Sequence, residues 1–237
     1  SDVYKRQDHM SDVDYIGRFG APARAEFVML LARDEIYARA VATEAENVRQ
    51  LTIPRNTFFT VAQTVFTMQY PIDMRIMGHD GLNIVYDTSQ PSPLQQLETN
   101  QVEWSELEIE GTQYVRLVIP AYQFEITAYP NKLNNAGAFQ KSYTLTGDFY
   151  HARAYYTDVN GTRREMATTH SDQVFNPLTP TLLLRLNGRQ LTATIPAIYL
   201  TTGQVTSEMI LEVYTTEGPI ALPLTSYSPN SFTAKYV

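Results

Sequence analysis

The chain of 237 residues contains no cysteine. This excludes a disulfide framework and a thiolate-bound zinc site, and it fits assembly in a reducing cytoplasm. Tryptophan is scarce as well, with a single residue, whereas tyrosine is abundant, with 16 residues. Tyrosine suits strands and contact surfaces, because its ring packs while its hydroxyl stays in water.

Basic clusters and long apolar runs are also missing. The formal net charge is −7, and the densest basic stretch, "GTRREM" (161–166), holds two arginines. Because phosphate neutralisation dominates nucleic-acid affinity, we expect no nucleic-acid partner. No apolar run approaches the ~18 residues of a membrane span, and the first residues lack the apolar core of a signal peptide.

The opening "SDVYKRQ" resembles a stretch often seen at the ends of metagenome-assembled sequences. We therefore expect residues 1–10 to be an artefact or disordered, and the chain to be a fragment of a longer protein. They are excluded from the fold predictions below.

One segment has a helical period. From Pro22 to about Arg49 there is no glycine and no internal proline, and apolar residues such as Phe27, Leu30 and Leu31 recur on one stripe. This pattern predicts a helix within an N-terminal helical segment over residues 11–49. A second, narrower seam on the other side of that helix has nearly heptad spacing. Its candidate interface residues are Met29, Ile36 and Ala40. The alternative is that Met29 and Ile36 are isolated apolar residues on a solvent-exposed surface.

After residue 49 the apolar period becomes two, which indicates strands. Three Ile-Pro steps, at Pro54, Pro120 and Pro196, predict strand ends, because proline has no N–H for the ladder. Hairpins are predicted over Gly111, at "VNGT" (159–162) and at Asn187-Gly188, where glycine or asparagine tolerates a positive φ.

These patterns together predict a mainly β protein. The predicted fold is an N-terminal α-helix followed by one or two antiparallel β-sandwich domains, since roughly ten to fourteen short strands follow one helix in the pattern. The Asn/Gly-rich stretch 131–141 is the predicted boundary. It separates a first β domain over residues 50–135 from a second β-sandwich domain over residues 142–237.

Residues that carry chemistry lack the required spacing. None of the four histidines has metal-ligand spacing. A triad of His170, Ser171 and Asp172 is excluded, because neighbours in an extended chain point to opposite faces. The glutamates between 103 and 110 indicate a solvated sheet edge. The acidic "TDVNGT" (157–162) lacks the spaced ligands of a calcium loop and is predicted to be a turn. We predict no catalytic residue, metal or cofactor.

The stretch "VRQLTIPRNTFFTVAQTVFTMQYPIDMRI" (48–76) resembles the baseplate J-like family, the baseplate-wedge proteins of contractile-tailed phages. The residues that match its Ile-Pro, Thr-x-Phe and Phe-Thr elements are Ile53, Pro54, Thr57, Phe59, Phe66 and Thr67. Asn56 stands where that family usually has glycine, and asparagine is the next best residue for a positive φ. The segments 84–104, 169–177 and 212–222 also resemble large-phage baseplate structural proteins.

This resemblance implies a non-enzymatic structural subunit of the virion, located in the tail baseplate and assembled in the host cytoplasm. It implies that neighbouring wedge subunits are joined through protein–protein contacts. The expected partners are other baseplate or tail subunits and further copies of the chain itself, with no small-molecule substrate.

Two alternatives stay open at the level of sequence. A β-sandwich module that binds host-surface carbohydrate would use exposed aromatic rings, and Trp104, Tyr122 and Tyr129 are its first candidates. A β-sandwich hydrolase would instead need two acids close together in a cleft.

Overall fold

The computed structural model describes residues 22–61, 63–89, 92, 94, 96–171, 176–218 and 228–231, and these are mainly β. The chain divides directly after Phe124 into a first unit, Pro22–Phe124, and a second unit, Glu125–Pro219. The stretch 131–141, where we predicted a boundary, lies inside the second unit. The division after Phe124 lies between two consecutive strands, Thr112–Gln123 and Glu125–Lys132, where the sequence contains no Asn/Gly-rich stretch.

The described residues contain seventeen strands and two short helices. The first unit holds β1 (Arg24–Ala32), α1 (Arg33–Arg39), β2 (Val41–Ala42), β3 (Val48–Ile53), β4 (Phe58–Val61), β5 (Thr64–Thr67), β6 (Ile72–Met77), β7 (Gly81–Tyr86), β8 (Glu103–Ile109) and β9 (Thr112–Gln123). The second unit holds β10 (Glu125–Lys132), β11 (Phe139–Thr144), β12 (Asp148–Thr157), β13 (Arg163–Thr169), β14 (Thr181–Asn187), β15 (Gln190–Ile195), α2 (Ala197–Thr201) and β16 (Glu208–Thr216). The last strand, β17 (Ser228–Ser231), pairs with β4 of the first unit.

Two antiparallel sheets enclose the core of the first unit. One has the order β1-β9-β5-β4-β17, with β8 also paired to β9, and the other has the order β2-β3-β6-β7. Both sheets contribute to one cluster of buried apolar side chains, in which the rings of Phe27 and Phe59 stack at 4.5 Å. This is a sandwich-like arrangement, in which each sheet turns one face inward.

The predicted helix over Pro22–Arg49 is wrong. Residues 24–32 form β1, which pairs with β9 in one unbroken antiparallel register. Alanine, leucine and methionine favour helices, but the inward-facing Phe27 and Met29 are buried beside Ile119 and Leu117 of β9. Because packing against a partner strand decides such cases, only Arg33–Arg39 is helical in the described part of the predicted segment. The remainder of that segment, residues 11–21, lies outside the described residues.

The second unit is built on one seven-stranded sheet that encloses its own core. The strand order is β10-β16-β12-β13-β14-β15-β11, and all pairs are antiparallel except β13 with β14. Side chains join the two terminal strands: the Tyr143 hydroxyl donates to Asn131 Oδ1 at 2.7 Å, and the rings of Tyr129 and Tyr143 lie 4.6 Å apart. The predicted β architecture is thus confirmed in each unit, and the strand pairs are antiparallel apart from β13 with β14.

Two of the three predicted Ile-Pro strand ends are confirmed, because β3 ends at Ile53 and β15 ends at Ile195. The third is wrong, since β9 continues through Pro120 to Gln123. Proline is tolerated in a strand where its missing N–H would not have joined a ladder.

The surroundings of Pro120 meet this condition. The N–H of Gln123 donates to Ala23 O at 2.8 Å, so alternate residues of β9 bond to β1 and Pro120 points its nitrogen to the other side. On that side, β8 pairs with β9 only as far as Val118, and β5 only from Tyr122. Pro120 lies in the gap, where no ladder bond is lost.

The predicted hairpins are confirmed. Glu110 and Gly111 form the loop between β8 and β9, both with positive φ, at 51° and 80°. The loop between β14 and β15 is Gly188–Arg189, one residue later than predicted, with Gly188 at φ 59°. A two-residue loop whose first residue is a glycine with positive φ suits the twist of the strands it joins.

Candidate interaction site

Met29, Ile36 and Ala40 do not form the exposed helical seam predicted for them. Met29 lies on β1 and is 5% exposed, while Ile36 lies on α1 and is 1% exposed, so both belong to the core of the first unit. Ala40 follows α1 and packs partly buried against the same core. The predicted seam is wrong because Met29 lies in a strand, where a period of two turns it inward beside Phe27.

The residues that β1 turns outward are exposed instead. Val28 is 48% exposed and Leu30 is 45% exposed, and they alternate with the buried Phe27 and Met29. The sequence interpretation missed them, because the helical period assigned Leu30 to a buried stripe. The signal that could have found them is the alternation within "EFVML" (26–30).

The outer edge of β1 is not paired with any described strand. The bond from Gln123 N–H to Ala23 O fixes the direction of the successive peptide groups. Odd-numbered residues of β1 bond to β9, whereas Val28 and Leu30 direct their N–H and C=O groups away from it. We call these outward backbone groups and side chains of Val28 and Leu30 the β1 edge. Such a row of groups is a template for adding another strand.

Other edge strands of the described residues carry features that discourage strand addition. β8 exposes three glutamates, and β2 is only two residues long. β10 contains Pro130 and Lys132, and β11 contains Lys141. The four-residue β17 contains Pro229. The outer side of β7 is met by the segment at Gln101.

β1 has none of these features along most of its length. It runs for nine residues without a lysine, a proline or a shift of register. Its two charged residues lie at its beginning, where Arg24 Nη2 donates to Glu26 Oε1 at 3.0 Å. The six residues from Phe27 to Ala32 are all apolar. The β1 edge is therefore the least protected strand edge in the described part of the chain.

A cluster around Arg33 marks the end of β1. Arg33 Nη2 donates to the Tyr37 hydroxyl at 3.1 Å, and Arg33 Nε lies 3.7 Å from Glu106 Oε1. The hydrogen bond to Tyr37 raises the pKa of Arg33, and Glu106 adds a smaller electrostatic contribution in the same direction. These contacts connect the first turn of α1 to β8 at the point where β1 ends.

A partly buried tyrosine lies in the second sheet of this unit. Tyr86 ends β7, packs partly buried against the core and meets the ring of Tyr70 at 6.2 Å. Burial raises the pKa of Tyr86 to about 12. Its hydroxyl is therefore neutral at ordinary pH.

The histidine and the serine of the excluded triad lie directly after β13. His170 follows β13, and its ring meets Phe149 edge-on at 6.0 Å; burial of the ring lowers the pKa of His170. Ser171 is its neighbour, and Asp172 lies outside the described residues. Among the described residues, no group of three or more histidine, aspartate or glutamate side chains is arranged to hold a metal ion.

The aromatic rings named as carbohydrate-binding candidates are partly buried, and the glutamates of β8 are exposed. Trp104 packs partly buried against the core of the first unit, and Tyr129 packs against the core of the second. Tyr122 lies partly buried on β9, opposite Arg24. The glutamates of β8 are exposed along a strand edge, as the sequence indicated.

The "TDVNGT" stretch forms the predicted turn between β12 and β13. Asp158 Oδ1 accepts from the backbone N–H of Asn160 and of Thr162, both at 2.9 Å, and Arg164 Nε donates to Asp158 Oδ2 at 2.6 Å. The hydrogen bond from Arg164 lowers the pKa of Asp158, and the backbone donors act in the same direction. The Asp158 carboxylate therefore stabilises the turn through hydrogen bonds from residues of the turn and of β13.

None of the helices in the described ranges has the length and apolar character needed to cross a membrane. Comparison of the chain with protein-family models, with curated proteins and with solved structures found no match. The resemblance of residues 48–76 to the baseplate J-like family accordingly rests on the short motifs themselves.

Proposed function

We propose that this protein is a structural subunit of a phage tail baseplate, which acts through contacts with other tail subunits and with itself. The observation that carries the proposal is the β1 edge. Val28 and Leu30 expose apolar side chains and outward backbone groups along a regular strand. A strand edge of this kind is a ready-made surface for another chain.

The geometry of the resembling motif supports the family in which the proposal places the chain. The stretch after Ile53 carries the chain from the four-stranded sheet to the six-stranded sheet. Within it, Thr57 Oγ1 donates to Pro54 O at 2.7 Å, and Asn56 has a φ of 66°. Glycine and asparagine are the residues that best tolerate this φ. The substitution of asparagine for the family's glycine therefore preserves the turn.

A baseplate role also agrees with the physical character of the units. Each unit encloses its own apolar core between β-strands, which makes a rigid element that can transmit force. Function in such a protein lies in its surfaces, and the edge of a sheet joins subunits through backbone hydrogen bonds. We place the protein in the virion, with assembly in the host cytoplasm.

Co-expression with the products of adjacent genes tests this proposal. We expect the full chain to form a stable complex through the β1 edge, with a second copy of itself or with a tail structural protein encoded beside it. The double variant Val28→Asp/Leu30→Asp should lose that complex, because it places carboxylates on the strand edge. The matched control is Val159→Asp, which changes an aliphatic residue of the second unit that is 74% exposed.

Two results would count against the proposal. One is a set of neighbouring genes that encode no tail component. The other is a complex that survives the β1-edge substitutions and is lost with Val159→Asp.

A further inference from the structure

We propose that β1 pairs in an antiparallel manner with β1 of a second copy of this chain, so that the six-stranded sheet continues across a two-fold axis. This inference rests on the proposed function, because it names the partner for the same edge. A two-fold contact uses the same surface on both copies, and one strand can therefore satisfy the outward groups of the other.

The backbone of β1 is arranged for such pairing. Val28 and Leu30 direct their N–H and C=O groups away from β9. This direction follows from the hydrogen bond between Gln123 N–H and Ala23 O, because alternate residues of β1 bond to β9. The unbroken register with β9 keeps the strand regular over its whole length. Two regular strands of equal length can form a continuous antiparallel ladder.

The side chains favour one register of that ladder. With Met29 on the two-fold axis, Val28 lies opposite Leu30 of the partner subunit, and the reverse contact follows by symmetry. All four exposed aliphatic side chains then meet on the outer face of the joined sheet. With Val28 on the axis, Glu26 would instead face Leu30 of the partner subunit, which is a poorer match.

The charges at the two ends of β1 agree with this register. Arg24 lies at the beginning of the strand, and the exposed Asp34 and Glu35 form the first turn of α1 just after its end. Antiparallel pairing with Met29 on the axis brings Arg24 of each copy towards the acidic turn of the other. No pair of like charges is placed directly opposite, which would oppose association.

A charge-swap experiment tests the inference on the full chain. Sedimentation velocity should show a dimer for the wild type. The variants Val28→Lys/Leu30→Lys and Val28→Glu/Leu30→Glu should each be monomeric, with a dissociation constant raised by at least ~100-fold, since like charges face each other across the new ladder. An equimolar mixture of the two should restore the dimer, because lysine then faces glutamate.

A backbone substitution gives a second test that leaves the intrachain ladder intact. Leu30→Pro removes an N–H that points outward, so it should abolish the dimer while the variant still melts cooperatively. In the wild type, amide hydrogen exchange at Val28 and Leu30 should slow as the protein concentration rises. This last measurement needs no variant and reports on the edge directly.

The possible results separate the inference from the proposed function. Loss of the dimer in both charged variants, with rescue on mixing, supports the inference. A wild-type monomer whose β1 edge binds a neighbouring tail protein overturns it and leaves the proposed function standing. A monomer whose β1 edge binds nothing overturns both. A dimer that tolerates all the substitutions shows that copies associate elsewhere and also overturns the inference.

Discussion

Glu110 and Gly111 both occupy the left-handed region of backbone conformation, with φ of 51° and 80°, and together they form the loop that joins β8 to β9. Two-residue loops with both residues at positive φ match the right-handed twist of the flanking strands. Glycine adopts this conformation without strain. Glutamate at the first position does not, because its Cβ crowds the backbone.

Replacement of Glu110 by asparagine should therefore stabilise the first unit. We expect the free energy of unfolding to rise by about 0.5–1 kcal/mol, since asparagine tolerates the left-handed region better than glutamate. Urea unfolding measures the change. The matched control is Glu108→Asn, two residues earlier in the extended strand β8, which should be neutral or slightly destabilising. Equal effects of both substitutions would mean that strain at position 110 is absent.

The hairpins and the N-terminal helix show how far the sequence predicts the fold. The hairpin over Gly111 was predictable, because the turn is specified by residues that lie next to each other. The helix over Pro22–Arg49 was not, because the side chains of β1 have helical propensity and its strand state depends on β9, which lies some ninety positions along the chain. A pairing between distant segments leaves only a weak trace in a local pattern.

The predicted interface of Met29, Ile36 and Ala40 is wrong for the same reason as the predicted helix. A helix over residues 22–49 buries Leu30 and exposes Met29, whereas the observed exposures of these side chains are 45% and 5%. The lack of chemical motifs could be stated from composition and spacing. An unprotected strand edge could not, because it depends on which strand lies outermost in a sheet, and sequence order does not reveal that.

The turn at Asp158 gives a prediction about acid stability. Hydrogen bonds, the first from Arg164, lower the pKa of Asp158 from its ordinary value of 3.8. Because the pKa of Asp158 is lower in the folded protein than in the unfolded chain, its carboxylate stabilises the fold at every pH above 3.8. This stabilisation is lost as the pH falls through the pKa of the folded protein. Asp158→Asn should therefore be less stable than the wild type at neutral pH, and the difference should shrink in acid.

Urea unfolding of both proteins from neutral pH to below pH 3 checks this expectation. Asp148→Asn is the matched control, because Asp148 is an exposed carboxylate of the same unit that lies 3.5 Å from Arg189. A constant difference between wild type and Asp158→Asn across the whole range would contradict the assigned role.

Tyr86 gives a prediction at the alkaline end. Burial raises the pKa of Tyr86 to about 12 from an ordinary value of 10.0. Between these values the unfolded chain loses the proton first, so the free energy of unfolding should fall as the pH rises through that window. Tyr86→Phe should reduce this fall, since phenylalanine has no proton to lose.

The measurement is chemical unfolding at pH values on both sides of 10.0, with the slopes of wild type and Tyr86→Phe compared. Tyr114→Phe, which removes a hydroxyl from a partly buried position on β9, is the control. If the two variants reduced the slope equally, the effect would not belong to the burial of Tyr86.

The neighbouring residues Val28 and Met29 give the most direct test of the strand assignment. Met29 is 5% exposed and Val28 is 48% exposed, because successive residues of β1 point to opposite faces of the sheet. Met29→Ala should lower the free energy of unfolding by about 2–4 kcal/mol, since it leaves a cavity in the core. Val28→Ala should cost less than about 1 kcal/mol, since it removes mainly a preference for the strand. Thermal unfolding at a concentration low enough to keep the protein monomeric separates the two. Equal losses would mean that residues 24–32 do not alternate between core and solvent, and the β1 edge would then lose its structural basis.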